Sequence, residues 1–265
     1  MTRVPPQHIR ARDNAFLKNL RQLSKDSTAY RGQGRIWVEG EHLCQAALAR
    51  GVKPSTAVFS ESCWTGASAA WTQAAPKNIV ITDAFFSGIS ALESPAGMGF
   101  VFNLPVASEL QAHVATVILD RVQDAGNVGY ILRSASAFGF KQIIALQGTA
   151  ALWSPKVLRA GMGAHWGLQL IEGADLEKIA GLSVPIVVTS SHRGLFLHQA
   201  QAGHALPTPC AWVLGHEGQG VSAELEAIAG SHVRIAQPGG EESLNVAAAA
   251  AICLHASATT SRVVA

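Results

Sequence analysis

Charge is scarce in this sequence. Asp, Glu, Lys and Arg make up 14% of the 265 residues, against 48% hydrophobic. A disordered chain needs the opposite balance, because it must fail to bury enough apolar surface to offset its conformational entropy. The length allows one large domain or two modest ones. Long apolar runs are missing as well: none reaches the roughly 20 residues of a bilayer-spanning helix, and the opening residues lack the form of a secretory signal. Four cysteines occur, Cys44, Cys63, Cys210 and Cys253, without the paired spacing of a zinc site. They read as buried, reduced thiols of a cytoplasmic protein, and no metal is implied. Internal repeats are absent, and the one low-complexity tract is an alanine run at 247–251.

What charge there is lies unevenly. Residues 1–53 hold ten Lys/Arg against four Asp/Glu, a balance of +6, while the rest of the chain stands at −4. A basic segment on a mildly acidic body points to a polyanionic partner. A solvated helix face and a mitochondrial presequence are the other readings of the same residues.

Periodicity divides the chain in two. Apolar positions at helical spacing predict a helix over 14–24, followed by strands at 36–38, 57–59, 78–81 and 99–102 with helices at 41–50, 67–73 and 83–89 between them. This makes a small α/β domain over residues 1–105, with a linker around 105–113. Strands are then expected at 117–119, 142–146, 167–171, 186–189, 212–214 and 232–235. Helices fall at 128–138 and 156–161, around Leu176, Leu197 and Glu224, and from Ser243 onward. Alternation with continuously apolar strands implies a parallel sheet covered on both faces over 111–265. Ligands of such sheets sit outside the carboxyl ends of the strands.

Three polar segments begin at those ends. The first runs from Asp124 through Asn127 and Gly129 to Arg133. The second is Gly215-His-Glu-Gly-Gln-Gly, with Glu217. The third runs from Ile235 through Pro238-Gly239-Gly240, a tight turn, to Ser243, Leu244 and Asn245, ahead of a helix apolar enough to be buried nearly all round. Asn127 can cap the first helix, and Ser243 the last. Arg133 lies six residues after Asn127, nearly two turns along and on much the same edge. It sits among apolar residues, which suits an arginine that reaches a carboxylate or a phosphate. Glu217 is a partner for Arg133 or an acceptor for a substrate hydroxyl; alternatively it is a solvated loop carboxylate. Asn245, a poor helix former ahead of an apolar run, faces the site. A dinucleotide-binding unit is disfavoured: Gly126-Asn-Val-Gly129 does not fit Gly-x-Gly-x-x-Gly, and no acidic residue ends the next strand.

The order Asn-x-Gly-x-x-x-Arg, Leu-Gly-x-Glu-x-x-Gly, Ser-Leu-Asn-Val resembles the three motifs of the SpoU (TrmH-like) RNA 2′-O-ribose methyltransferases, over roughly residues 116–258. Trp37-Val-Glu-Gly40 is similar to the entry of that family's substrate-binding domain. One departure is visible: Ala236 follows Ile235 where the family has proline. The resemblance implies a SPOUT-like C-terminal domain with a trefoil knot, a homodimer through that domain, and S-adenosylmethionine held by backbone at Gly215, Ile235 and Leu244. It implies Asn127, Arg133, Glu217, Ser243 and Asn245 as the catalytic set, and a basic N-terminal domain that binds RNA, ribosomal rather than transfer RNA. A transfer-RNA enzyme and a non-catalytic RNA-binding relative are the alternatives.

Overall fold

The structure, a computed structural model, describes residues 5–106, 109–239 and 243–260. Gly240 of the expected tight turn and part of the expected linker lie outside the described residues. The chain forms two compact units, Met1–Val106 with Trp153–Trp166, and Ala107–Leu152 with Gly167–Ala265.

In the first unit, strands β1 (Pro6–Ile9), β2 (Arg35–Glu39), β3 (Thr56–Ser60), β4 (Asn78–Ile81) and β5 (Met98–Asn103) form a sheet in the order β1-β4-β3-β5-β2. Helices α1 (Ala15–Lys25), α2 (Ala29–Gln33), α3 (Glu41–Ala49), α4 (Glu61–Gly66), α5 (Ala69–Thr72) and α6 (Asp83–Ile89) connect them. The reason α1 forms is local. The Asn14 side chain accepts a hydrogen bond from the Phe16 N–H (2.9 Å), and Leu17, Leu20 and Leu23 bury one face. β3 and β4 are buried along their whole length, as strands between two covered faces must be.

The second unit opens with β6 (Thr116–Leu119), α7 (Ala125–Ala137) and β7 (Gln142–Leu146). The chain then returns to the first unit for α8 (Pro155–Gly161) and a 3-10 turn (Ala164–Gly167). Ser154 caps α8 and Pro155 pre-sets its first turn. The second unit resumes with β8 (Gln169–Ala174), α9 (Leu176–Ala180), β9 (Ile186–Thr189), β10 (Leu195–Phe196) and α10 (Leu197–Ala202). It ends with β11 (Ala211–Leu214), α11 (Ala223–Ile228), β12 (Ser231–Arg234) and α12 (Val246–Thr260). All its strand pairings are parallel, in the order β10-β12-β9-β11-β6-β7-β8. The sheet therefore grows outward from β6 to β8, then resumes on the other side. There β11 enters between β9 and β6, and β12 between β10 and β9. Ile118, Ile144, Val188 and Val213 lie in its core.

The expected α/β class and C-terminal parallel sheet are present. β1, α2, α4 and β10 were not foreseen. α7 starts three residues earlier than expected, because Asp124 is its cap: the carboxylate accepts from the Asn127 N–H at 2.8 Å. The last helix starts three residues later, and Asn245, not Ser243, caps it: Asn245 Oδ1 accepts from the N–H groups of Ala247 (2.9 Å) and Ala248 (3.2 Å). Nor is α12 buried all round, since Ala248, Ile252 and His255 are exposed. Among the described residues no helix is long and apolar enough to cross a membrane.

Candidate active site

Two adjacent strands, β6 and β11, deliver the site. β6 runs into Asp120, a carboxylate 1% exposed, and a buried charge of this kind requires partners. Asp120 Oδ2 accepts from the Ser222 N–H at 2.6 Å, and Oδ1 accepts from Arg121 Nε at 2.9 Å. Arg121 takes a left-handed backbone (φ 58°) and reaches Gln219 Oε1 at 3.0 Å. The end of β6 is thus fastened to the loop that follows β11.

That loop, 215–222, folds on itself. His216 and Gly220 exchange both backbone hydrogen bonds, at 3.0 and 2.9 Å. His216 Nδ1 accepts from the N–H groups of Gly218 (2.9 Å) and Gln219 (3.2 Å). Its ring closes the turn. Gly215 is obligatory for space: a Cβ there would overlap the backbone of Gly220 and Val221.

Glu217 projects from the loop onto the segment after β6. One carboxylate oxygen accepts from the Gln123 N–H (3.1 Å); the other accepts from the Asp124 N–H (3.0 Å) and from Asn127 Nδ2 (3.1 Å). Asn245 Nδ2 in turn donates to Asn127 Oδ1 at 2.9 Å. The amide orientations follow from the partners. Asn245 must present oxygen to two helix N–H groups, which leaves its nitrogen for Asn127, whose own nitrogen then meets a carboxylate. The three polar segments therefore meet in one hydrogen-bonded chain, Glu217–Asn127–Asn245. Burial raises the Glu217 carboxyl, but the N–H groups of Asp124 and Gln123 and the Asn127 amide together outweigh it, so its pKa lies below the ordinary value.

Arg133 stands apart from this chain. Six residues of helix are about 600° of rotation, so its side chain leaves α7 about 120° away from Asn127 rather than on the same edge. It is exposed, and among the described residues it makes no hydrogen bond or ion pair. Glu217 is not its partner, because that carboxylate is committed to the loop after β6. Ser243 is exposed beside the network without joining it, Leu244 is 39% exposed next to Asn245, and Ile235 is half-buried just past β12. Two further residues belong to the site's construction: Asp120 and Asp124. The sequence signal for Asp120 was an acid directly after an apolar strand, and for Asp124 an acid three residues before Asn127. Gln237 has a buried Oε1 with no hydrogen-bond partner among the described residues. The four cysteines form no disulfide, and Cys63 is half-buried rather than buried as expected; burial pushes the Cys210 thiol up to about 11 and the Cys253 thiol up to about 12.

Known proteins share this architecture. The SpoU rRNA Methylase family matches residues 115–255, and the MRM3-like substrate binding domain matches residues 14–99. RlmP of Bacillus subtilis, a 23S rRNA (guanosine(2553)-2′-O)-methyltransferase, is 27% identical over 82% of this chain and 86% of its own. The mitochondrial rRNA methyltransferase 3 of Homo sapiens is 27% identical over 84% of this chain and 67% of its own. The AdoMet-bound rRNA methyltransferase from Sinorhizobium meliloti superposes with a TM-score of 0.80 at 25% identity, covering 95% of this chain and 97% of that one. The family match, residues 115–255, takes in more than half of the 265 residues and all three segments joined through Asn127, and the chain belongs to the SpoU rRNA Methylase family.

Proposed function

We propose that the protein transfers a methyl group from S-adenosylmethionine to a ribose 2′-hydroxyl of ribosomal RNA. The hydrogen-bonded chain Glu217–Asn127–Asn245 carries this reading, because it gathers the family's three motifs at one end of the parallel sheet. The residues present fit the cofactor. Half-buried Ile235 and part-exposed Leu244 offer apolar surface for an adenine ring. Backbone at Gly215, Ile235 and Leu244 would hold the adenosine, and Gln237 Oε1, buried with no partner among the described residues, would offer an acceptor two residues after Ile235. The cofactor supplies an electrophilic methyl group on a sulfonium.

The chain's own residues do the positioning. Glu217, Asn127 and Asn245 fix the loops, with Ser243 left free to hydrogen-bond the ribose. Glu217 already accepts three hydrogen bonds and has a lowered pKa, which makes it a poor proton acceptor. Arg133 is given the part of a cation and not of the base, and the proton released from the ribose hydroxyl passes to solvent at this exposed site. Its guanidinium, unpaired among the described residues, places positive charge against the ribose oxygen or the adjoining phosphate as negative charge grows. No metal enters this scheme.

The same reading gives the first unit the role of RNA-binding domain over about residues 1–105, and takes the C-terminal segment to thread the knot the family resemblance implies. It gives a homodimer through the exposed apolar face of α12 and neighbouring Tyr130 of α7, 55% exposed, and a cytoplasmic site of action. The test is methyl transfer from labelled cofactor to purified 23S ribosomal RNA or transfer RNA, with the 2′-O-methyl position mapped. Transfer to transfer RNA alone would replace the substrate. A folded protein that shows neither transfer nor cofactor binding at millimolar concentration would be the non-catalytic relative.

A further inference from the structure

The segments that join the strands of the first sheet differ in charge between its two edges. β1 and β3 run parallel to β4, while β3 and β2 are both antiparallel to β5, so β1, β2, β3 and β4 all point the same way. The segments leaving β2, β3 and β4, and the one entering β5, share one edge. They carry Glu39, Glu41, Glu61, Asp83 and Glu93 and no lysine or arginine of their own, and the cations that α1 brings to this edge, Arg21 and Lys25, both point at the Gly88 carbonyl. Only the exit from β1, the edge strand, differs, with Arg10, Arg12 and Asp13. The opposite edge collects the segments entering β2, β3 and β4. Residues 31–35, 50–55 and 73–77 hold Arg31, Arg35, Arg50, Lys53 and Lys77 and no carboxylate.

Backbone hydrogen bonds set these segments side by side: Ala57 N–H to the Lys77 carbonyl (2.9 Å), Ser55 N–H to the Val101 carbonyl (2.8 Å) and Leu104 N–H to the Gly34 carbonyl (2.9 Å). At about 4.8 Å per strand, the starts of β4 and β2, three strands apart, are about 14 Å from each other. That distance spans a few consecutive phosphates of a nucleic-acid strand. Arg35, Lys53 and Lys77 are exposed, and among the described residues none of their side chains makes a hydrogen bond or ion pair. The cations that frame them are held in place. Arg31 lies 5.4 Å from the Tyr30 ring, and Arg50 Nη1 donates to the Gly163 carbonyl at 2.6 Å. Like charges gathered on one edge repel each other, so the fold gains nothing from the row; a polyanion relieves that repulsion.

We propose that this edge, through Arg35, Lys53 and Lys77, is where the first unit grips the RNA backbone, and that the acidic edge takes no part. The assignment rests on the reading of the protein as an RNA enzyme, and it names phosphates, not bases, as what the unit contacts. Such contacts fix register and affinity without reading sequence.

The test is binding of purified 23S ribosomal RNA across a KCl series. Removing three phosphate contacts with R35Q/K53Q/K77Q is expected to weaken binding. It should also make the slope of log affinity against log salt shallower by about 2, at about 0.7 per contact to a single strand. Melting temperature and S-adenosylmethionine affinity should match the parent. Each single variant should make the slope shallower by about 0.7, a third of that change, so the measurement survives if the triple variant folds poorly. An unchanged slope, or the same loss in R10Q/R12Q instead, overturns the assignment. A parent that binds the cofactor and no RNA removes the RNA reading itself, and this surface with it.

Discussion

Arg133 and Glu217 differ in what surrounds them, and so in what their removal should do. Arg133 is exposed and has no partner among the described residues, so Arg133→Ala should leave the melting temperature and cofactor affinity near those of the parent. Single-turnover transfer to RNA should slow by a factor on the order of 10²–10³, the cost of losing one preorganised charge at a developing oxyanion. Arg133→Lys should recover little, since an ammonium does not reproduce a planar, two-pronged contact. Equal loss of melting temperature and activity would instead mark Arg133 as structural. Glu217 has the opposite profile. Its pKa is depressed in the folded state, so the stability it contributes is present above its unfolded value, about 4.3, and is lost as pH falls through the folded value. Glu217→Gln should therefore melt below the parent at pH 7, with the gap closing in melts taken below pH 4. The residues of this network were legible as a set from motif order, but their partners were not. Spacing along one helix suggested that Arg133 shares an edge with Asn127, and Glu217 was one candidate partner for it, whereas the bonds of Glu217 come from Gln123, Asp124 and Asn127, an arrangement set by the turn after β6.

Helix starts show why boundaries were harder to read than elements. Asp124 and Asn127 both suit a cap, as do Ser243 and Asn245, and side-chain type does not choose between them; the backbone turn does. Asn245→Ala removes the oxygen that serves the Ala247 and Ala248 N–H groups, which should cost about 1 kcal/mol in denaturant unfolding. It also strips Asn127 of a donor, so cofactor affinity should fall with stability; a change in neither would mean the link is dispensable. Gly215→Ala should be more damaging, because its Cβ meets backbone at Gly220 and Val221 and no side chain can move aside. Calorimetry on that variant should show cofactor binding lost while the β-sheet signal remains. The long buried strands were legible as apolar runs. β1, with only Ile9 buried, and β10, two residues long, present no such run. Their pairing is decided by neighbours distant in sequence.

For the molecule as a whole, the α/β class and the charge asymmetry could be read from periodicity and composition, whereas the return of residues 153–166 to the first unit, against the expected boundary at 105–111, could not. The strand order could not, because β11 and β12 enter between strands already placed and nothing local encodes that. The helix expected to be buried all round leaves Ala248 and Ile252 at the surface, a face that pairing of two chains would cover. Light scattering at micromolar concentration should give twice the mass of one chain, and Ile252→Glu should return it to one. A parent that is monomeric under those conditions removes the dimer.

The excursion of residues 153–166 into the first unit has a consequence for the order in which the chain is made. Trp166 packs on Phe102 with ring centroids 4.9 Å apart, and α8 buries Val157 and Leu158. A nascent chain emerging amino end first has all five strands of the first sheet available by residue 103. Yet that unit remains unfinished until 60-odd further residues, β6, α7 and β7 among them, have left the ribosome. The two units cannot mature strictly one after the other, and a gene fragment cut at residue 106 encodes a first unit with an open seam.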